Sequence, residues 1–122
     1  METGRALVVK LTAGSEAPER ASQGMTVAAT AVAAGVTVSL WLTGESAWFA
    51  VPGRAEQFHL EQAAPLVDLL AAVLESGTVT LCTQCAARRG ITSLDVIPGV
   101  RVAGAATFVQ EILAPDAQAL VY

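Results

Sequence analysis

Cys82 and Cys85 are the two cysteines of the chain, and they stand three apart in Val-Thr-Leu-Cys-Thr-Gln-Cys-Ala-Ala-Arg-Arg-Gly, residues 79–90. A short apolar strand runs there into a helical turn, which places both thiols at the junction. On a helix, positions three apart face nearly the same way, so Cys82, Cys85 and Arg88 form one stripe. The thiolate is the reactive form of cysteine, and a helix amino terminus, free backbone N–H groups and nearby guanidinium groups all favour it. Cys82 gains most from that terminus. Thr83 is placed to cap it or to donate to the sulfur, while Arg88 and Arg89 either support the thiolate or complement the negative end of the helix.

Three uses of such a pair compete. In a dithiol-disulfide switch one cysteine attacks and the other resolves. A persulfide carrier needs one accessible cysteine, with the second optional. The third reading is a non-catalytic ligand-binding or assembly module in which both cysteines are small buried hydrophobes. Thioredoxin-like proteins usually place their motif after an early strand with a cis-proline opposite, a pattern not readable here. A closed zinc site needs four ligands; Cys82, Cys85 and the single histidine, His59, fall short, so no metal is expected. His59 reads as a solvated loop position rather than a catalytic base.

The elements that must position the cysteines follow a regular rhythm. Arg5 to Leu11 reads as a strand of nearly continuous apolar residues, the kind buried on both faces. After a turn, a helix is expected from Glu16 or Pro18 to Ala34, with proline in its first turn, Glu19 near the positive dipole end and Gly35 as the stop. Met25, Ala28, Ala29 and Val32 mark its buried side. That first strand-helix turn carries no Gly-x-Gly-x-x-Gly or Walker pattern, and Glu16 and Glu19 stand where a phosphate would approach, so no dinucleotide site and no cofactor are expected. Val36 to Leu42 is a second strand, alternating enough to look less deeply buried or nearer a sheet edge. Residues 45–59 are irregular; Trp48, with Trp41 from the strand before, is a candidate pocket residue, or Trp48 and Phe49 cap the core or fill a subunit interface.

Pro65 opens the clearest helix, with Leu66, Leu69, Leu70, Val73 and Leu74 on one face and Gly77 behind it. A strand from Thr78 to Leu81 leads to the cysteines, and a brief helix from Gln84 to Arg89 ends at Gly90. Residues 91–100 read as loop and Arg101 to Ala103 as a short strand. Gly104 begins a last helix in which Ala105, Phe108, Val109, Ile112 and Leu113 share a face, and Ala117 to Val121 closes the pattern as a strand. Strands alternating with helices make a mainly parallel sheet with helices on both faces the economical solution, a three-layer α/β/α domain of about five strands. Active sites in such sheets lie just beyond the carboxyl ends of strands, where Cys82 falls.

Composition narrows the partners. The 122 residues suit one domain, 1–122, with a real core. Apolar residues make up 53% and charged residues only 15%, which suggests that part of the surface is covered by other subunits. The net charge is -4 and no basic run occurs, so neither nucleic acid nor an anionic membrane is an expected partner. No apolar run is long enough to span a bilayer, and Met1 to Lys10 enters a strand pattern without a signal peptide's apolar segment. A cytoplasmic location follows as the expectation, and in that reducing compartment the paired cysteines read as reactive rather than as a structural disulfide.

The order of these motifs resembles the DsrE/DsrF-like family, which includes the TusD-type sulfur relay subunits. The resemblance rests on Leu7 to Gly14, on Leu40-Trp41-Leu42-Thr43-Gly44, on the helix from Pro65 to Gly77, on Val79-Thr80-Leu81-Cys82 with Arg89-Gly90-Ile91, and on Gly104 leading the last helix. It implies a flavodoxin-like parallel sheet and assembly into homotrimers, homohexamers or hetero-hexamers. In sulfur-trafficking members, it implies a cysteine that receives sulfane sulfur as a persulfide and hands it on, with donor and acceptor proteins as partners. Cys82 matches that carrier cysteine by position. Cys85 matches a second cysteine found in some members and absent from the TusD-type relay subunits.

Overall fold

The computed structural model describes residues 4–122; the reading of Met1 to Thr3 as the start of the amino-terminal lead lies outside the described residues. Five parallel strands form one sheet in the order β4-β3-β2-β1-β5. They are β1 (Ala6–Leu11), β2 (Thr37–Leu42), β3 (Thr78–Cys82), β4 (Arg101–Ala103) and β5 (Ala117–Val121). The helices between them are α1 (Pro18–Ala33), α2 (Arg54–Gln57), α3 (Leu66–Ser76), α4 (Thr83–Arg88) and α5 (Ala105–Ile112), with a 3-10 helix over Gly44–Ala50. This is the expected flavodoxin-like α/β architecture with helices on both faces.

Side-chain alternation sorts the strands into two faces. Val9, Leu11, Val38, Leu40, Leu42, Val79 and Leu81 point to one face, where they form the main core with α1 and α3. Helix α1 suits that role because Ala21, Gly24, Met25, Ala28 and Ala29 recur at helical spacing and are buried. Pro18 sits in its first turn, where a missing N–H costs nothing. Helix α3 buries Leu66, Leu70 and Val73 on the same layer. Each fully buried Leu or Val contributes roughly 1.5–3 kcal/mol, so this layer dominates the stability.

The opposite face mixes polar residues with the buried Val8 and Trp41. Register aligns Lys10 of β1 with Trp41 of β2, Trp41 with Thr80 of β3, and Thr80 with Arg101 of β4, a row running across the sheet. Among the described residues α5 is the helix that covers this row, and its polar groups find partners there. Glu111 accepts from the Ser39 hydroxyl at 2.6 Å and from Trp41 Nε1 at 3.0 Å, and pairs with Arg101 Nη2 at 2.6 Å. Arg101 Nε also donates to Thr80 Oγ1 at 2.8 Å.

Two sequence expectations are corrected by this arrangement. Strand β2 is the central strand of the sheet, not an edge or a shallow one. Its alternation reflects Ser39 and Trp41 facing the polar layer, where Glu111 satisfies both. Helix α5 is turned relative to the expected apolar stripe: Phe108, Glu111 and Ile112 are half-buried, while Val109 and Leu113 are 45% and 74% exposed. The Glu111 ion pair and the Phe108 ring, 5.3 Å edge-on from Trp41, fix that rotation.

Candidate functional site

Cys82 ends β3 and is the N-cap residue of α4, with extended backbone at φ -64° and ψ 126°. Strand and helix boundaries thus fall one residue from those expected, because Cys82 itself makes the last ladder pair, with Ala103 of β4. After β3 the chain turns into α4, whose Cys85 and Ala86 join the α1/α3 core. After β4 it turns into α5 on the opposite face. The chain thus leaves the carboxyl ends of β3 and β4 toward opposite faces of the sheet, and ligand crevices in open α/β sheets lie beyond such carboxyl ends.

A cleft of about 280 Å³ opens there, lined by Lys10, Trp41, Gly44, Cys82, Cys85 and Phe108 among others. Its walls are mainly apolar. Trp41 is buried, and Phe108 stands edge-on to it. The ammonium of Lys10 lies 5.3 Å from the centre of the Phe108 ring, a cation-π contact that holds a positive charge at the cleft.

The loop after β2 shapes the other wall. Thr43 donates to the Leu11 carbonyl through its N–H at 3.0 Å and its hydroxyl at 2.9 Å, which clamps the ends of β1 and β2 together. The Thr43 N–H also donates to Ser46 Oγ at 2.9 Å, and the Ser46 hydroxyl in turn donates to the Leu11 carbonyl at 2.7 Å. The clamp delivers Gly44 with φ +53°, and its N–H donates to Cys85 Sγ at 3.2 Å. A Cβ at Gly44 would stand 2.6 Å from the Thr12 carbonyl oxygen, so glycine is required.

The two thiols differ in environment. Burial pushes the Cys82 thiol up, but the Cys85 and Gln84 backbone N–H groups, the Cys85 thiol and the Lys10 charge together outweigh it and lower its pKa below the ordinary thiol value. Burial pushes Cys85 up as well, and the neighbouring Cys82 adds to this, more than the Gly44 N–H and Arg89 offset. Cys82 is half-buried and Cys85 is 9% exposed. Cys82 is accordingly the more accessible and more readily ionised thiol, and Cys85 the more enclosed one.

The supporting residues divide. Arg89 bonds the Glu45 carboxylate through Nε at 2.9 Å and Nη2 at 2.7 Å, and the Cys85 carbonyl through Nη1 at 3.1 Å. It therefore ties α4 to the 3-10 helix and completes the end of α4. Arg88 and Thr83 are exposed, and the N-cap of α4 carries no side-chain capping bond, so the capping role considered for Thr83 falls to no side chain. Trp41 lines the cysteine cleft. Trp48 instead borders a separate cavity of about 380 Å³ with Arg89, Ile91 and Leu94, and the Arg54 guanidinium lies 4.3 Å from its ring centre. His59 is exposed in an irregular segment.

Sequence reasoning missed Lys10, Gly44 and Phe108. Lys10 carries a readable signal, a lone charge inside the apolar run Ala-Leu-Val-Val-Lys-Leu. Gly44 and Phe108 carry none, since their roles depend on elements far apart in the chain. At the first strand-helix turn, Glu16 accepts from the Gly14 N–H at 2.6 Å, so its carboxylate occupies the donor a phosphate would use. Among the described residues, no helix is long and apolar enough to cross a membrane, and no group of three His, Cys, Asp or Glu side chains gathers to hold a metal ion.

A parallel α/β sheet with a cysteine at the carboxyl end of a strand, its pKa lowered by local donors, describes the class. The chain belongs to the DsrE/DsrF-like family, whose sequence profile matches residues 6–118. Solved structures show the same fold. The YchN protein from E. coli is similar with a TM-score of 0.79 at 19% identity, over 98% of this chain and 100% of that one. MTH1491, a protein of unknown function from Methanobacterium thermoautotrophicum, gives a TM-score of 0.69 at 8% identity, over 97% and 99% of the two chains. BT1422 from Bacteroides thetaiotaomicron gives 0.59 at 16% identity, over 96% and 94%. Comparison with curated protein sequences finds no match.

Proposed function

We propose that the protein is a persulfide carrier in which Cys82 accepts a sulfane sulfur atom and passes it to an acceptor thiol. In loading, the Cys82 thiolate attacks the outer sulfur of a donor persulfide; a new S–S bond forms and the donor leaves as a thiolate. In unloading, the acceptor thiolate attacks that same outer sulfur and Cys82 leaves as a thiolate. A lowered thiol pKa serves both directions, since it supplies the nucleophile and improves the leaving group. Lys10 offsets the negative charge that the persulfide places in the cleft.

One observation carries this reading: Cys82 lines a cleft at the strand ends with its pKa lowered by local donors and Lys10. Family membership supports it, and two free thiols suit a reducing compartment such as the cytoplasm. We further infer that the carrier works as a homotrimer or homohexamer. Supporting this, α5 buries none of its residues, and Val109 and Leu113 lie exposed on it with Val121 on the edge strand β5 that it packs against.

The test is a mass measurement after incubation with a sulfane sulfur donor. Cys85→Ser, which keeps Cys82 as its one cysteine, should take up a sulfur atom, and Cys82→Ser should not. Equal loading of Cys82→Ser would reject the carrier role. If instead Cys82 reacts with a thiol reagent no faster than Cys85 does, the non-catalytic module gains.

A further inference from the structure

A carrier needs only Cys82, because both donor and acceptor work on its outer sulfur. Cys85 nevertheless sits at the same cleft, in the first turn of the helix that Cys82 caps. It lies three residues on from Cys82 and lines the same cleft, and its sulfur receives the Gly44 N–H at 3.2 Å. The Arg89 guanidinium, bonded to the Cys85 carbonyl at 3.1 Å and to Glu45, holds this turn in place. Both sulfurs line the cleft, but Cys82 is half-buried and Cys85 only 9% exposed, so an outside thiol reaches Cys82 first. Access and position together give one outer, attacking cysteine and a more enclosed one beside it on the next helical turn.

We propose that Cys85 resolves the Cys82 persulfide from inside, releasing hydrosulfide and closing a Cys82–Cys85 disulfide, so that the protein reduces sulfane sulfur as well as carrying it. This rests on the carrier reading of Cys82. The Cys85 sulfur attacks the inner sulfur of the persulfide, Cys82 Sγ. A bond forms between the two Sγ atoms, and the bond from Cys82 Sγ to the outer sulfur breaks. The Cys85 proton passes to the outer sulfur, which departs with the electron pair as hydrosulfide. The sulfane sulfur is reduced by two electrons and the two cysteine sulfurs are oxidised by two. The Gly44 N–H stabilises the negative charge that develops on Cys85 Sγ as its proton leaves. A dithiol reductant in solution then reopens the disulfide by exchange and resets the pair.

The geometry decides which fate a bound sulfur meets. An acceptor that enters the cleft takes the outer sulfur and leaves Cys82 as the thiolate. With no acceptor present, Cys85 is the nucleophile at hand, and an intramolecular partner acts at an effective concentration no free thiol reaches. Stored sulfur would thus be discharged as sulfide.

The experiment is a single turnover without added thiol. Reduced wild-type protein and the variants Cys85→Ser and Cys85→Ala are treated briefly with inorganic polysulfide, desalted, and followed by intact mass and by released sulfide. Wild type should release one sulfide per chain and end two hydrogens lighter than the reduced protein, with neither cysteine open to alkylation. Both variants should keep the added sulfur and release none. A wild-type persulfide as durable as that of the variants, or sulfide release without the disulfide, would overturn the proposal while leaving the carrier intact. Failure of Cys85→Ser and Cys85→Ala alike to take up sulfur, with both still folded, would overturn the carrier reading and this proposal together.

Discussion

The Gly44 N–H donates to Cys85 Sγ across 3.2 Å, linking the end of β2 to the first turn of α4. That contact exists because Gly44 adopts φ +53° beneath the Thr12 carbonyl, which leaves no room for a side chain. Gly44→Ala therefore meets both a left-handed backbone penalty and a backbone clash. We expect a loss of at least about 2 kcal/mol in stability, read from the denaturant midpoint. Because the same substitution moves the N–H off the sulfur, Cys85 should also become harder to ionise, which a pH series of thiol alkylation on the folded variant would register.

The wild-type thiols should separate clearly in such a series. Cys82 should alkylate first, with a midpoint below the ordinary thiol value, and Cys85 more slowly with a midpoint above it. Peptide mapping assigns each rate. Lys10→Met removes a charge that favours the Cys82 thiolate, so its midpoint should rise and its alkylation near neutral pH should slow several-fold. An unchanged Cys82 profile in Lys10→Met would remove Lys10 from the site.

Glu111 joins three elements, accepting from Ser39 and Trp41 of β2 and pairing with Arg101 of β4 from its place on α5. Burial raises its carboxyl pKa, but these donors outweigh it and hold it below the usual carboxylate value. A group with a depressed native pKa stabilises the fold above its unfolded value, and that contribution fades as pH falls through the native one. Acid should therefore weaken the protein below the ordinary glutamate range, and Glu111→Gln should flatten that slope. At neutral pH the same variant should lose about 1.5–3 kcal/mol in a denaturation experiment, since Ser39, Trp41 and Arg101 all lose a charged acceptor.

Much of this architecture is legible in the chain because one layer obeys the simple rules. Ala21, Gly24, Met25, Ala28 and Ala29 on α1, and Leu66, Leu70 and Val73 on α3, mark the main core by period alone. The other layer does not. Glu111, Arg101, Ser39 and Lys10 are polar and face inward, and a pattern rule that sends polar residues to solvent turns α5 the wrong way and moves β2 toward an edge. What makes their burial tolerable is mutual pairing between residues 39, 101 and 111, which no local window contains. The cysteines stand out in the chain by type and spacing; Gly44 and Phe108, which shape their surroundings, are visible only once the strands are in register.

The exposed side of α5 makes the last prediction. Leu113 is 74% exposed and Val109 45% exposed on a helix whose inward side is fixed by Phe108 and Glu111, so the helix cannot roll to bury them without breaking the Glu111 contacts. Val121, on the edge strand β5 beside α5, is 66% exposed. An apolar surface of this kind is stabilised by burial against another copy of the chain at roughly 25 cal/mol per Å². Wild type should sediment as a trimer or hexamer, and Leu113→Asp combined with Val109→Asp should shift it toward the monomer with the circular dichroism of the fold retained. The inward residues are untouched in that variant, so a loss of association reports on the surface alone. A wild-type protein that sediments as a monomer at all accessible concentrations would instead leave the α5 surface free for an unlike partner.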